Sequence, residues 1–190
     1  MLLTITALLK STSPISFSAP ILTKKNTGEK HDVFENRIWK ERLHRDKDGQ
    51  ILIPAQALKL CLESIARYLS ESVPGKGKKT YTKYIEAGLM IEKHLIIGKK
   101  YESERLFVPS DGKKGGGKRV WKNFPLVKEW QAMAEIILID PILMDEPDVI
   151  GRYLIAAGKF IGLGRWRPEK GGLYGRFSVE KFEAGKVTTD

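Results

Sequence analysis

Cysteine is almost absent: Cys61 is the one such residue in 190. That excludes an intrachain disulfide framework and any cysteine-based zinc site. Its place in the stripe Leu58, Cys61, Leu62, Ile65 and Leu69 makes it a small core residue. Histidine is also scarce, with His31, His44 and His94 the full set. No Asp, Glu and His cluster has metal-ligand spacing, so neither metal nor other cofactor is expected. No apolar run reaches the about 20 residues that a spanning helix requires. The apolar start, Met1 to Leu9, is interrupted by Thr4 and Thr6 and has no basic flank, so it reads as a strand rather than a leader. The expectation is a cytoplasmic protein with no membrane partner.

Acidic residues are missing from particular places. Three windows, 74–84, 112–122 and 159–176, together hold 40 residues, 14 of the 33 bases and a single acid, Glu169. Their net charge is +13. The other 150 residues carry 19 bases and 22 acids, a net charge of −3, although the whole chain is +10. A solubility device would spread positive charge, whereas a footprint for a polyanion concentrates it.

Hydrophobic residues make up 42% and charged residues 29%, which is globular composition. Residues 2–10 read as a largely buried first strand. A long connection over 11–53 follows, with a short helix over Val33–Leu43. Pro54 opens an amphipathic helix that ends near Ser72. Gly88–Ile97 and Ile136–Leu143 are expected strands, flanking a hairpin insertion over about 100–128. Glu146–Ala157 predicts a second helix stopped by Gly158. Leu173–Phe182 alternates as a half-exposed strand should. The order predicts one α+β domain over 1–190, a ferredoxin-like (RRM-like) βαββαβ palm with an inserted β-hairpin thumb. That fold serves binding modules and enzymes alike.

The chemistry lies in the basic windows. Between Gly158 and Phe177, six glycines let the backbone approach a partner and present N–H groups to an anion. Arg165, Arg167 and Arg176 suit bidentate phosphate contacts, with Lys170 beside them. Trp166 and Tyr174 offer faces for stacking a base. No Gly-Lys-Ser/Thr follows at P-loop spacing. In the middle window Lys113, Lys114, Lys118 and Arg119 surround three consecutive glycines, a segment expected to order on binding. In the first window Lys76, Lys78 and Lys79 precede Thr80 and Thr82, whose hydroxyls could reach phosphate, and Tyr81 or Tyr84 could stack. These features predict a grip on a single nucleic-acid strand, RNA or DNA.

Asp48-Gly49-Gln50-Ile51-Leu52-Ile53-Pro54-Ala55-Gln56-Ala57-Leu58-Lys59 resembles the stretch before the first helix in the RAMP superfamily, the repeat-associated RNA-binding proteins of CRISPR effector complexes. Gly162-Leu163-Gly164 through Gly175 resembles that superfamily's glycine-rich loop. The likeness is nearest to the backbone subunits that bind guide RNA. It implies a ferredoxin-like palm, a projecting thumb within 107–124, and phosphate contacts from the glycine-rich loop. The implied partners are single-stranded RNA and copies of itself or other effector subunits, within an antiviral ribonucleoprotein. A virus-borne decoy that blocks effector assembly is the alternative that the chain's compact size suggests.

Some members of that superfamily cut RNA with a histidine or a loop aspartate. The candidates here for metal-independent cleavage are His31, Asp32 and His44. The distinctive windows hold Lys, Arg and Gly, which suit holding a phosphodiester better than breaking it, so the protein is not expected to be an enzyme. His94 falls within a strand pattern and is expected to be structural.

Overall fold

The structure is a computed structural model that describes residues 2–110 and 117–187. Its elements in chain order are β1 (Leu2–Ser11), β2 (Ile15–Ser16), α1 (His31–Ile38) and β3 (Ile51–Ile53), then α2 (Ala55–Leu69), α3 (Tyr81–Gly88), β4 (Leu89–Met90) and β5 (Leu95–Gly98). There follow β6 (Glu102–Pro109), β7 (Arg119–Val127), β8 (Gln131–Leu138), α4 (Pro141–Asp145), α5 (Asp148–Phe160) and β9 (Phe177–Val187). Short 3₁₀ turns at Trp39–Arg42 and Pro168–Lys170 complete the set. The fold is α+β, and its strand pairs are antiparallel.

The main sheet has the order β4-β8-β1-β9. Ile5, Ala7 and Leu9 of β1 have no exposed surface, while the residues between them are half-buried. The strand expected to be largely buried is thus covered on one face, because the helices lie on one side. There Leu58, Leu62 and Ile65 of α2 meet Tyr153, Leu154 and Ala157 of α5 in a continuous core. Burying each of these leucine and isoleucine side chains contributes about 1.5–3 kcal/mol. Cys61 is buried in this core, and burial pushes its thiol up to about 12.

Several boundaries differ from the sequence reading. Gly88 ends a helix instead of opening a strand, and only Leu89–Met90 joins the main sheet; Leu95–Gly98 pairs with β3. Tyr81, Ile85 and Gly88 form the buried stripe of α3. The strand expected over Ile136–Leu143 lies at Gln131–Leu138, since Asp140 caps α4 by accepting from the Ile142 N–H at 2.8 Å. Gly158 does not stop α5. Its lack of a side chain lets the helix touch β9, where a Cβ would lie 2.0 Å from the Phe177 carbonyl oxygen. A second sheet, β2-β7-β6, carries the β6–β7 pair, in register from Glu102↔Leu126 to Pro109↔Arg119.

Candidate nucleic-acid interface

The glycine-rich segment leaves α5 and folds back against β2. Gly164 has φ +78, and a Cβ there would lie 2.6 Å from the Ser16 carbonyl oxygen. This close approach lets the Arg165 N–H donate to that oxygen at 2.7 Å. Leu163 N–H donates to the Gly175 carbonyl and Gly175 N–H to that of Pro14. Tyr174 N–H donates to Trp166, and Gly172 N–H to Arg167. The amides expected to cradle an anion are therefore largely taken up in holding the loop's own shape. What the loop presents instead is side chains.

Arg165 is half-buried, with its guanidinium 3.6 Å from the centroid of the Phe124 ring of β7. Arg42 lies over the same ring at 5.0 Å. Buried Arg42 donates to buried Glu35 at 2.7 Å, and Lys122 stands 3.7 Å from the same carboxylate. Glu104 is the cross-strand neighbour of Phe124 and accepts from the Tyr174 hydroxyl. Burial, then this bond to Glu104, pushes the Tyr174 phenol up to about 12. Burial and the nearby Arg42 pull Arg165 below its ordinary value, while Glu104 opposes them. Among the described residues, four buried polar atoms of this group (Ser16 Oγ, Arg42 Nε, Glu104 Oε2 and Arg165 Nη1) have no hydrogen-bond partner.

The other expected contacts divide by availability. Trp166 is held at φ +56 with 48% of its surface exposed, edge-on to Tyr174 at 6.1 Å. Arg167 is closed on Glu169 through Nε at 3.0 Å and Nη2 at 2.6 Å, so its fork is already occupied. Arg176 donates to the Lys159 and Leu173 carbonyls. Lys170, Lys118 and Arg119 are exposed, and Arg119 Nη2 donates to the Phe107 carbonyl at 2.6 Å. Lys113 and Lys114 lie outside the described residues.

Lys76, Lys78 and Lys79 are exposed on a turn closed by Val73 N–H donating to the Lys79 carbonyl at 2.8 Å. The turn follows the C-terminal end of α2, whereas Gly164 and Arg165 line a cavity at its N-terminal end. Fifteen residues at 1.5 Å each separate these ends by about 22 Å. Tyr81 is not available to stack: it is 1% exposed and donates its hydroxyl to Glu146. The Thr82 hydroxyl donates to the Ala66 carbonyl, and that of Thr80 to Thr82.

The cavity at the start of α2 holds about 280 Å³. Phe17, Ile53, Pro54 and Ala57 make its apolar wall, with His44, Gly164 and Arg165 beside them. The Ile-Pro stretch and the glycine-rich loop, over 100 residues apart in sequence, thus meet. Burial, then the charge of His94, lowers the His44 pKa. His94 Nδ1 accepts from the Ala55 N–H at 3.1 Å, a structural role at the helix start. His31 and Asp32 line a different cavity, beside the hairpin. Among the described residues, no group of three or more His, Cys, Asp or Glu could hold a metal ion, and no helix is long and apolar enough to cross a membrane.

Phe124, Arg42 and Glu104 were not singled out from sequence. The one signal was the alternation in β7, which puts Lys122 and Phe124 on one face and Trp121 and Asn123 on the other.

No protein-family model matches the chain, and no curated protein matches it in sequence. Solved structures do match in three dimensions. A chain in the cryo-EM structure of the Type III-B Cmr-beta bound to cognate target RNA superposes with TM-score 0.61 at 12% identity, covering 96% of this chain and 60% of that one. This protein thus spans about three-fifths of that neighbour's length. Cmr6 from Pyrococcus furiosus, a crystal structure, gives TM-score 0.51 at 15% identity, covering 95% of this chain and 98% of that one. The chain shares the fold of these two neighbours.

Proposed function

We propose that this protein is a single-stranded RNA-binding subunit of a CRISPR-type ribonucleoprotein, gripping the guide-RNA backbone between its glycine-rich segment and its hairpin. The contact of Arg165 with Phe124 carries the reading, because it joins the loop that resembles the RAMP motif to the root of the hairpin. The main-sheet order β4-β8-β1-β9, with two helices on one face, supports a ferredoxin-like palm. The antiparallel β6–β7 pair is the thumb in this reading, within one domain over 1–190.

Phosphates are held by Lys118, Arg165, Lys170 and Arg176, while Trp166 receives a base on its exposed face; Arg119 is turned by the strand alternation to the other face of the hairpin, over Phe107. Lys113 and Lys114 add to the same basic segment of the sequence. Arg167 joins when a phosphate displaces Glu169, an exchange of one anion for another. Lys76, Lys78 and Lys79 serve a more distant stretch of the strand, given the length of α2 between them and Arg165. Other effector subunits or further copies of the chain are the protein partners that this reading requires.

Fluorescence anisotropy with a labelled single-stranded RNA tests the reading. Binding that weakens when Lys118 and Lys170 are replaced by glutamate supports it. Affinity that withstands those reversals overturns the assignment of this face.

A further inference from the structure

We infer that the other face of the hairpin forms a second site, which takes one unpaired nucleobase, guanine by preference, together with its phosphate. This inference rests on the RNA-binding reading above and adds base selection to it.

The alternation of β6 and β7 that points Glu104, Lys122 and Phe124 toward the palm turns Phe107 and Trp121 to the opposite face. These two are cross-strand partners with ring centroids 5.3 Å apart, yet they remain 47% and 52% exposed. Each carries a guanidinium: Arg105 lies 5.0 Å from the Trp121 ring and Arg119 lies 5.5 Å from the Phe107 ring. A cross-strand aromatic pair stabilises a hairpin without further help. It does not by itself call for the cavity of about 380 Å³ beside it, a size ordinary for small-ligand sites. His31 and Asp32, from the first turn of α1, line that cavity together with the aromatic pair and both arginines.

Each part has a use in holding a nucleotide. The indole of Trp121 is a stacking platform, and unpaired bases are recognised by stacking plus hydrogen bonds to their edges. Arg119 is steadied by its bond to the Phe107 carbonyl, and Arg105 makes no hydrogen bond or ion pair among the described residues, so both can meet a phosphate. Asp32 is exposed and lines the cavity, with no side-chain hydrogen bond or ion pair among the described residues. A carboxylate only accepts hydrogen bonds. Guanine presents two adjacent donors, N1–H and the N2 amino group, which match its two oxygens. Uracil presents one donor between two carbonyl oxygens, which a carboxylate repels.

The test uses the full chain and two labelled RNAs of roughly ten nucleotides, a length within the span of a single-strand site. One is all uridine, and the other has a single central guanosine. The guanosine RNA is expected to bind about tenfold more tightly, the discrimination typical of one bidentate base contact. In Asp32→Asn the two RNAs should bind alike, Trp121→Ala should lose the preference, and Trp121→Phe should keep it. Equal binding of both RNAs by the unaltered protein overturns the base site and leaves the backbone-binding reading standing. Discrimination that persists in Asp32→Asn or Trp121→Ala also overturns it. Failure to bind either RNA removes both proposals together.

Discussion

The Arg165 guanidinium lies 3.6 Å from the centre of the Phe124 ring, with Arg42 over the same ring at 5.0 Å. Two cations from distant parts of the chain share one aromatic platform on β7. The platform fixes the angle between the glycine-rich segment and the hairpin, so its loss should affect binding beyond its effect on stability.

Phe124→Leu keeps an apolar side chain of similar volume but removes the ring. Such a swap costs about 1.5 kcal/mol or less, whereas Phe124→Ala, at a position only 4% exposed, should cost about 3–5 kcal/mol. Urea titration separates the two. RNA affinity in Phe124→Leu should fall severalfold although the protein stays folded. Unchanged affinity in a folded Phe124→Leu protein would mean that the platform does not position Arg165.

Glycine substitutions should divide by what surrounds them. Gly164→Ala and Gly175→Ala each combine a left-handed backbone with a Cβ driven into a carbonyl oxygen, at 2.6 Å and 1.8 Å. Gly171 has φ +76 but open space around it. Gly171→Ala should therefore cost only about 1–2 kcal/mol, and the other two clearly more. Thermal melts of the three variants that coincided would contradict this packing.

Alkaline pH should loosen the fold through tyrosine. Burial, then the bond to Glu146, pushes the Tyr81 phenol up to about 12, and Tyr174 is raised to about 12 in the same way by burial and Glu104. Burial raises Tyr153 as well. Below the ordinary value of 10 the phenols are protonated in both states, and their contribution is fully present. Above it the unfolded chain releases protons that the fold retains, so stability declines as pH rises from about 10 through about 12. Melting temperatures across this range should show the fall, and Tyr174→Phe should show less of it.

RNA incubated with the protein should remain intact. His31 and Asp32 line one cavity and His44 another, so the two histidines do not form one acid–base pair. Gel analysis of a labelled RNA tests this. Cleavage that disappears in His31→Ala or His44→Ala would make the protein a nuclease.

Much of the α+β fold was legible because periodicity carries it. The stripe from Leu58 to Leu69 marks α2, and the segment rich in leucine and β-branched residues from Leu2 marks β1. α3 was hidden because its buried Tyr81 and Ile85 sit among lysines and threonines that read as a solvated segment. β8 was displaced toward its apolar end, since Ala132 and Ala134 look unlike strand residues until they pack opposite Leu9 and Ala7. Arg165 was legible as a basic residue in a glycine-rich segment. Its partner was not, because Phe124 lies 41 positions earlier and a cation over a ring leaves no local pattern. The closure of Arg167 on Glu169 was open to sequence, as the two are two positions apart.

The central claim is a grip on the phosphates of one RNA strand by the glycine-rich segment and the hairpin together. Its most direct measurement is the affinity for single-stranded RNA as a function of salt, in the unaltered protein and in Arg165→Ala with Lys118→Glu and Lys170→Glu. The logarithm of the association constant should fall with the logarithm of salt at a slope of about −0.7 per phosphate contacted. The triple variant should bind more weakly and with a clearly shallower slope. Affinity independent of salt, or an identical slope in the folded variant, would contradict the account.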